Sequence, residues 1–251
     1  MTRGIYLAAS GMVAQWMKLQ AISNNISNSN TPAYKRDIIR FHDLLEASRS
    51  QPQLLLALSR SSSPYLSSLQ DYPLGSHVID FSEGELKRTG NSLDLALKGE
   101  GFFVVSTPNG QRYTRCGVFT LSARGELQTL DGFPVLGVNG PITIQGSKIE
   151  VSSSGEVKVD GKVVGTLKIV DFQKPYRLLK EGNNLFLPSD VNVRELPAKA
   201  EVLQGYIELP NVNPVKQMVE LINTLRSFQI YQKTIQTFDD NFGKLLDVVG
   251  R

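Results

Sequence analysis

The chain has 251 residues, 41% of them apolar and 20% charged, with 27 basic against 24 acidic side chains and a formal net charge of +3. That balance describes a chain that folds, and the length allows one to three domains. The charge is too small to point to nucleic acid, and the single cysteine, Cys116, excludes an intrachain disulfide.

The apolar pattern predicts a first helix from about Gly4 to Asn28. Ile5, Met12, Leu19 and Ile26 recur every seven residues, and Ala8, Ala9, Gln15, Trp16 and Ile22 widen the stripe beside them. Two readings fit this stripe: a helix packed on its own domain, or an end helix that packs on other subunits. The helix is expected to stop in Asn28-Ser29-Asn30-Thr31-Pro32, because Asn and Ser side chains compete for backbone hydrogen bonds and Pro32 turns Thr31 away from the α region. No continuous apolar segment follows Arg3, so no cleavable signal peptide is expected. No run reaches the roughly 18 apolar residues needed to cross a bilayer.

Residues 48–77 carry little pattern and read as a linker or contact arm. Ser59-Arg60-Ser61-Ser62-Ser63-Pro64 is linker-like, and Leu54-Leu55-Leu56-Ala57-Leu58 inside it fits a short helix or a strand equally.

From about Ile79 to Leu203, short β-forming runs alternate with turn residues. Leu93–Leu97, Phe102–Val105, Lys148–Val151 and Gly165–Val170 are such runs; Asn109-Gly110, Asp131-Gly132, Asn139-Gly140 and Asp160-Gly161 are turns suited to positive φ. Many short strands at this spacing predict an antiparallel β domain.

A last helix is predicted from about Val215 to Val248, with Pro214 at its start. Met218, Leu221, Leu225, Phe228, Ile235, Phe242 and Leu245 form its stripe, while Gln232 and Asp239 interrupt two of the expected seam positions. At about 1.5 Å per residue it is roughly 50 Å long, more than a small β domain needs. Two such end helices can bury stripes by pairing that neither buries alone.

Residues that carry chemistry are scarce. His42 and His77 stand in unrelated contexts without a metal spacing, and Cys116 has no partner motif. The glycines punctuate strands and form no phosphate loop; Asp131 reads as a turn residue before Gly132, and Asp94 has no paired carboxylate at a telling spacing. Tyr113 and Phe119 near Arg115 offer a stacking patch for nucleic acid, but the same residues suit an ordinary β-hairpin. No catalytic, cofactor-binding or metal-binding residue is assigned, and no nucleic-acid partner is expected.

Four groups of residues resemble one known family. They are Gly4-Ile5-Tyr6 with Ala8–Met12 and Asn24–Lys35; Leu93–Val105; Tyr113–Phe119 with Gly125-Glu126-Leu127 and Asp131–Val135; and Gly205–Glu208 with Asn211–Val215. In this order they resemble the rod and hook axial proteins of the bacterial flagellar basal body. Val135–Ile142 and Gly165–Val170 look more like the proximal than the distal rod protein. Three positions depart from the family pattern: Ala33 stands where glycine is usual, Leu209-Pro210 replaces a small residue and serine, and Cys116 replaces an acidic or small residue.

The resemblance implies a mixed fold, with long N- and C-terminal helices packed together as a helical axial domain and a central antiparallel all-β domain. The expected divisions are 1–47 for the first helix and following axial segment, 48–77 for the arm, 78–203 for the β domain, and 204–251 for the lead-in and last helix. The implied function is a non-enzymatic rod subunit that polymerises into the drive-shaft between motor and hook. The implied partners are copies of itself, other rod proteins and the flagellar export machinery, with a place in the periplasmic rod. Ile5, Met12, Leu19, Ile26, Leu221, Leu225, Phe228 and Ile235 become candidate assembly residues. Asn24, Asn25, Asn28, Asn30, Pro32, Asn211, Asn213 and Pro214 become candidate junction residues. The rivals are a distal rod subunit, a secreted β-rich binding module that stays monomeric, and, last, an enzyme.

Overall fold

The computed structural model describes residues 2–39, 77–190 and 193–249. The predicted arm at 48–77, apart from His77, lies outside the described residues, as does the Leu54–Leu58 cluster. Helix α1 spans Thr2–Ser27 and helix α2 spans Pro214–Val249, with antiparallel β structure between them. The fold is therefore mixed, with helices at its two ends. Among the described residues, no helix is long and apolar enough to cross a membrane.

The chain divides into two compact units. The first is drawn from the described residues within Met1–Ser29, Lys35–Phe81 and Val212–Arg251. It holds α1, α2 and a small antiparallel pair in which Asp37–Ile39 runs against His77–Ile79. The second unit is Asn30–Tyr34 with Ser82–Asn211. The strands Glu201–Gln204 and Tyr206–Glu208 belong to it, so its β structure runs beyond residue 203.

The main sheet of the second unit has six strands in the order Leu178–Gly182, Leu185–Pro188, Gly110–Thr114, Phe102–Thr107, Ile169–Phe172 and Glu195–Pro197. Every neighbouring pair is antiparallel. Phe102–Thr107 lies near its middle and is buried on both faces, which explains its continuous apolar run. Phe103 and Val105 join Leu97, Phe119, Val135, Val157 and Leu167 in one core. Phe102 instead packs edge-on or tilted against Phe172, Tyr176 and Phe186, with ring centroids 5.7–5.9 Å apart.

Turn chemistry sets the registers. Val159 pairs with Lys162 across Asp160-Gly161, and both turn residues have positive φ, as this two-residue hairpin requires. The same geometry recurs at Asn183-Asn184, where two asparagines do the work of an Asn-Gly pair.

Candidate assembly site on the terminal helices

Helices α1 and α2 run antiparallel and meet along a seam made on one side by small residues. A Cβ built on Gly4 would stand 3.2 Å from Phe238 Cζ, and one built on Gly11 only 2.6 Å from Tyr231 Cε1. The bare glycine backbone is what admits these aromatic rings. Further along, Asn25 Nδ2 donates to Gln217 Oε1 at 3.5 Å. From Gly4 to Gly11 to Asn25, steps of seven and fourteen residues along α1 are matched by equal steps from Phe238 to Tyr231 to Gln217. This is heptad geometry. Ala8, Ala14, Ala21 and Ile22 are buried in the same unit, and Lys18 meets Glu220 at 2.9 Å near its surface.

The predicted assembly residues fall in two settings. On α1, Ile5, Met12, Leu19 and Ile26 sit one position after Gly4, Gly11, Lys18 and Asn25, about 100° around the helix. Ile5 is exposed; the other three are half-buried. On α2, Leu221, Phe228 and Ile235 are half-buried and share heptad spacing with the buried Gln217 and Thr224. The Thr224 hydroxyl is satisfied within the helix by the Glu220 carbonyl at 2.8 Å. Leu225 lies elsewhere, 41% exposed. It belongs to an outer face with Val215, Met218, Val219, Ile222 and Ile230, which are 50–72% exposed. Gln232 and Asp239 are exposed and off the seam, so they do not interrupt it.

The predicted junction residues have distinct tasks. Asn25 is buried to 2% exposure and treats Asp37 as a strand partner. Its Nδ2 donates to Asp37 O and its Oδ1 accepts from Asp37 N, both at 2.9 Å. Asn28 closes the end of α1 by donating from Nδ2 to the Asn24 carbonyl at 3.0 Å. Asn213 caps α2, its Oδ1 accepting from Lys216 N at 3.0 Å, with Pro214 as the first helical residue. In the β unit, the Pro32 carbonyl accepts from Asn184 Nδ2, and Asn211 Nδ2 donates to Ser82 Oγ at 3.0 Å. Asn30 is exposed.

Two residues that pattern reading left as motif letters hold together the lead-in segments within the β unit. Arg115 and Glu208 make a buried ion pair, Nε to Oε2 at 3.0 Å. Arg115 also donates to the carbonyls of Leu97, Gly99 and Gly101, so its guanidinium is spent inside the protein. Tyr113, Phe119 and Arg115 are all buried, and no nucleic-acid stacking patch exists there. The only signal for Glu208 in the sequence was its place in the Gly205–Glu208 motif.

The remaining candidates for chemistry have structural settings. Burial pushes the Cys116 thiol up from its ordinary value, with the charges of Asp131, Asp94 and Glu208 adding to it, the reverse of what a nucleophilic thiolate needs. Asp94 is buried and bound by Asn91 Nδ2 at 3.1 Å, and Asp131 is exposed in its turn. His77 lies in the small strand pair, and His42 is outside the described residues. Among the described residues, no three His, Cys, Asp or Glu side chains gather as metal ligands.

Three segments match families of one functional group. Residues 5–35 match the family described as flagella basal body rod protein. Residues 96–159 match the flagellar hook protein FlgE/F/G D1 domain, and residues 203–248 match the flagellar basal body rod FlgEFG protein C-terminal region. The flagellar basal-body rod protein FlgG of Caulobacter vibrioides is 34% identical over 253 residues, spanning 92% of this chain and 94% of its own. The chain belongs to the flagellar basal-body rod protein family. The rod protein FlgF of Rhizobium meliloti is 29% identical over 100% of this chain and 99% of its own, and the flagellar hook-basal body complex protein FlhO of Bacillus subtilis is 30% identical over the whole of both. Rod proteins are structural subunits, not enzymes, and this chain is a structural subunit of the bacterial flagellar basal-body rod. The matched segments carry α1 and its junction, the β core, and α2.

Proposed function

We propose that this rod subunit occupies the proximal rod and polymerises head to tail, with copies of itself and with other rod proteins, into an open helical shaft that carries torque from motor to hook. The observation that supports polymerisation is the outer face of α2. Val215, Met218, Val219, Ile222, Leu225 and Ile230 stay exposed although α2 already packs on α1. A row of large apolar side chains on a helix that has satisfied its own seam marks a protein contact. A second copy covers it, with Ile5 and exposed Trp16 of α1 supplying apolar surface of the same kind.

In this reading α1 with residues up to 47, and residues 204–251, form the inner axial domain. The β domain of 78–203 lies outside it, and 48–77 serves as a contact arm. The subunit passes through the flagellar export channel and reaches the periplasmic part of the rod. Its terminal helices, already paired along their own seam, gain further order when neighbours cover the outer face of α2.

Support for the proximal position comes from Val135–Ile142 and Gly165–Val170. Identity does not separate the positions, since relatives named FlgF and FlgG match at 29% and 34%. Electron microscopy of the concentrated protein, alone and with rod and hook partners, tests polymerisation. Ordered tubes or filaments are expected; a persistent monomer that binds through its β unit alone points instead to a binding module. A label on this subunit in intact basal bodies tests position: signal on the motor side of the rod is expected, and signal beside the hook assigns it to the distal rod.

A further inference from the structure

The chain passes between its two units at four places, after Ser29, Tyr34, Phe81 and Asn211. Within the β unit these passages leave three short segments: 30–34, the residues just after 81, and the residues just before 212. All three meet at Glu208. Ala33 N donates to the Glu208 backbone carbonyl at 2.8 Å. Gly84 N donates to Glu208 Oε1 at 2.9 Å. Glu208 itself leads through Leu209 and Pro210 to Asn211. Cross-bonds reinforce the meeting point: Leu209 N to Glu85 O at 2.8 Å, Asn211 N to Tyr34 O at 3.3 Å, and Asn211 Nδ2 to Ser82 Oγ at 3.0 Å. The packing allows no side chain at residue 84, where a Cβ would fall 1.9 Å from the Leu209 carbonyl oxygen.

The other carboxylate oxygen of Glu208 is held by Arg115, which reaches the carbonyls of Leu97, Gly99 and Gly101 in the β unit. Arg115 follows directly on the sheet strand Gly110–Thr114. The carboxylate thus has one oxygen on a passage segment and one on the body of the β unit. A buried ion pair of this kind is a poor source of net stability compared with apolar packing, because both charges lose their water. Its value lies in what it positions.

We infer that Glu208, held by Arg115, is a joint that couples the three passage segments to the β unit as one cooperative element. The segments do not loosen one at a time: opening at any of them breaks a contact of Glu208, at its backbone carbonyl or its carboxylate, and releases the others. The inference concerns the isolated chain and stands or falls apart from the polymer reading.

Native-state hydrogen exchange of the purified full-length chain in increasing denaturant tests it. The amides of Ala33, Gly84 and Leu209 are expected to share one opening free energy and to merge into one isotherm. Three separate opening free energies would overturn the joint. Glu208→Gln removes the charge at nearly constant shape, and Arg115→Lys keeps the charge but shortens its reach. Either is expected to speed exchange at all three amides by about tenfold or more, the scale of a lost charge-assisted hydrogen bond, with amides of Phe102–Thr107 changing less than about twofold. A response confined to Gly84, or an equal rise in Phe102–Thr107, refutes the coupling. If neither variant folds, the wild-type isotherms decide.

Discussion

Tyr231 of α2 lies over the backbone of Gly11 of α1, so close that a Cβ at residue 11 would come within 2.6 Å of its ring. Small-against-aromatic contact therefore sets the approach of the two helices at this level. Replacing Gly11 with Val is expected to weaken the helix pair by about 1–3 kcal/mol through overpacking. Adding Tyr231→Ala removes the clash, so the double variant should lose less than the sum of the single losses. A double-mutant cycle followed by helical circular dichroism checks this; strict additivity would deny the contact.

Leu225 points the other way. It is 41% exposed and outside the α1 seam, so Leu225→Asp should shift monomer stability by less than about 0.5 kcal/mol. In a polymer that covers this face, the same carboxylate is stripped of water without a partner, and the critical concentration should rise on the order of tenfold or more. Sedimentation of assembled protein against concentration measures it. Normal assembly of the variant would remove this face from the subunit contact.

Ala33 has a φ of 57°, in the left-handed region. Alanine there costs roughly 1 kcal/mol that glycine does not incur, partly offset by the greater freedom of glycine in the unfolded chain. Ala33→Gly is thus expected to stabilise the β unit by up to about 1 kcal/mol, and Ala33→Val to destabilise it, since a β-branched residue tolerates this conformation worst. Urea unfolding of the three proteins should rank Gly above Ala above Val.

Glu195 links Lys168, at 2.8 Å, to the hydroxyl of Tyr113, also at 2.8 Å. Burial pushes its carboxyl up, but the hydrogen bonds from Lys168 and Tyr113 outweigh that and hold it below its ordinary value. A carboxyl lowered on folding contributes stability that is present above its unfolded value, near pH 4.5, and is lost as pH falls through the folded value. The pair is partly exposed, so the effect should stay under about 1 kcal/mol. Glu195→Gln should remove this share of the acid-side decline while leaving stability at pH 7 slightly reduced, as thermal melts across pH 3–7 would show.

Much of this architecture is legible in the sequence. Turn dipeptides such as Asp160-Gly161 and the apolar run at Phe102–Val105 mark the β unit, and heptad spacing marks both end helices. What hydrophobic pattern hides is the rotation of each helix. Ile5, Met12, Leu19 and Ile26 form the conspicuous stripe, yet the seam one residue earlier contains Gly4, Gly11 and Asn25. Such a seam works through the absence of side chains, and its large partners sit on the other helix. Its polar members are equally silent, because Asn25, Gln217 and Thr224 look like surface residues until their partners are seen. Ala33 shows the same limit: alanine suggests common backbone geometry, and only the folded junction demands the rare one. Arg115 and Glu208 lie 93 residues apart, beyond any local pattern.

The unequal lengths of the two helices have a last consequence. α1 covers 26 residues and α2 covers 36. With Asn25 level with Gln217 and Gly4 level with Phe238, the pair is nearly flush where α1 ends and α2 begins, while α2 runs on past the start of α1 at its far end. A block that is square at one end and stepped at the other has a heading. In the head-to-tail polymer proposed above, this asymmetry would recur in every subunit, so the two ends of the column would differ.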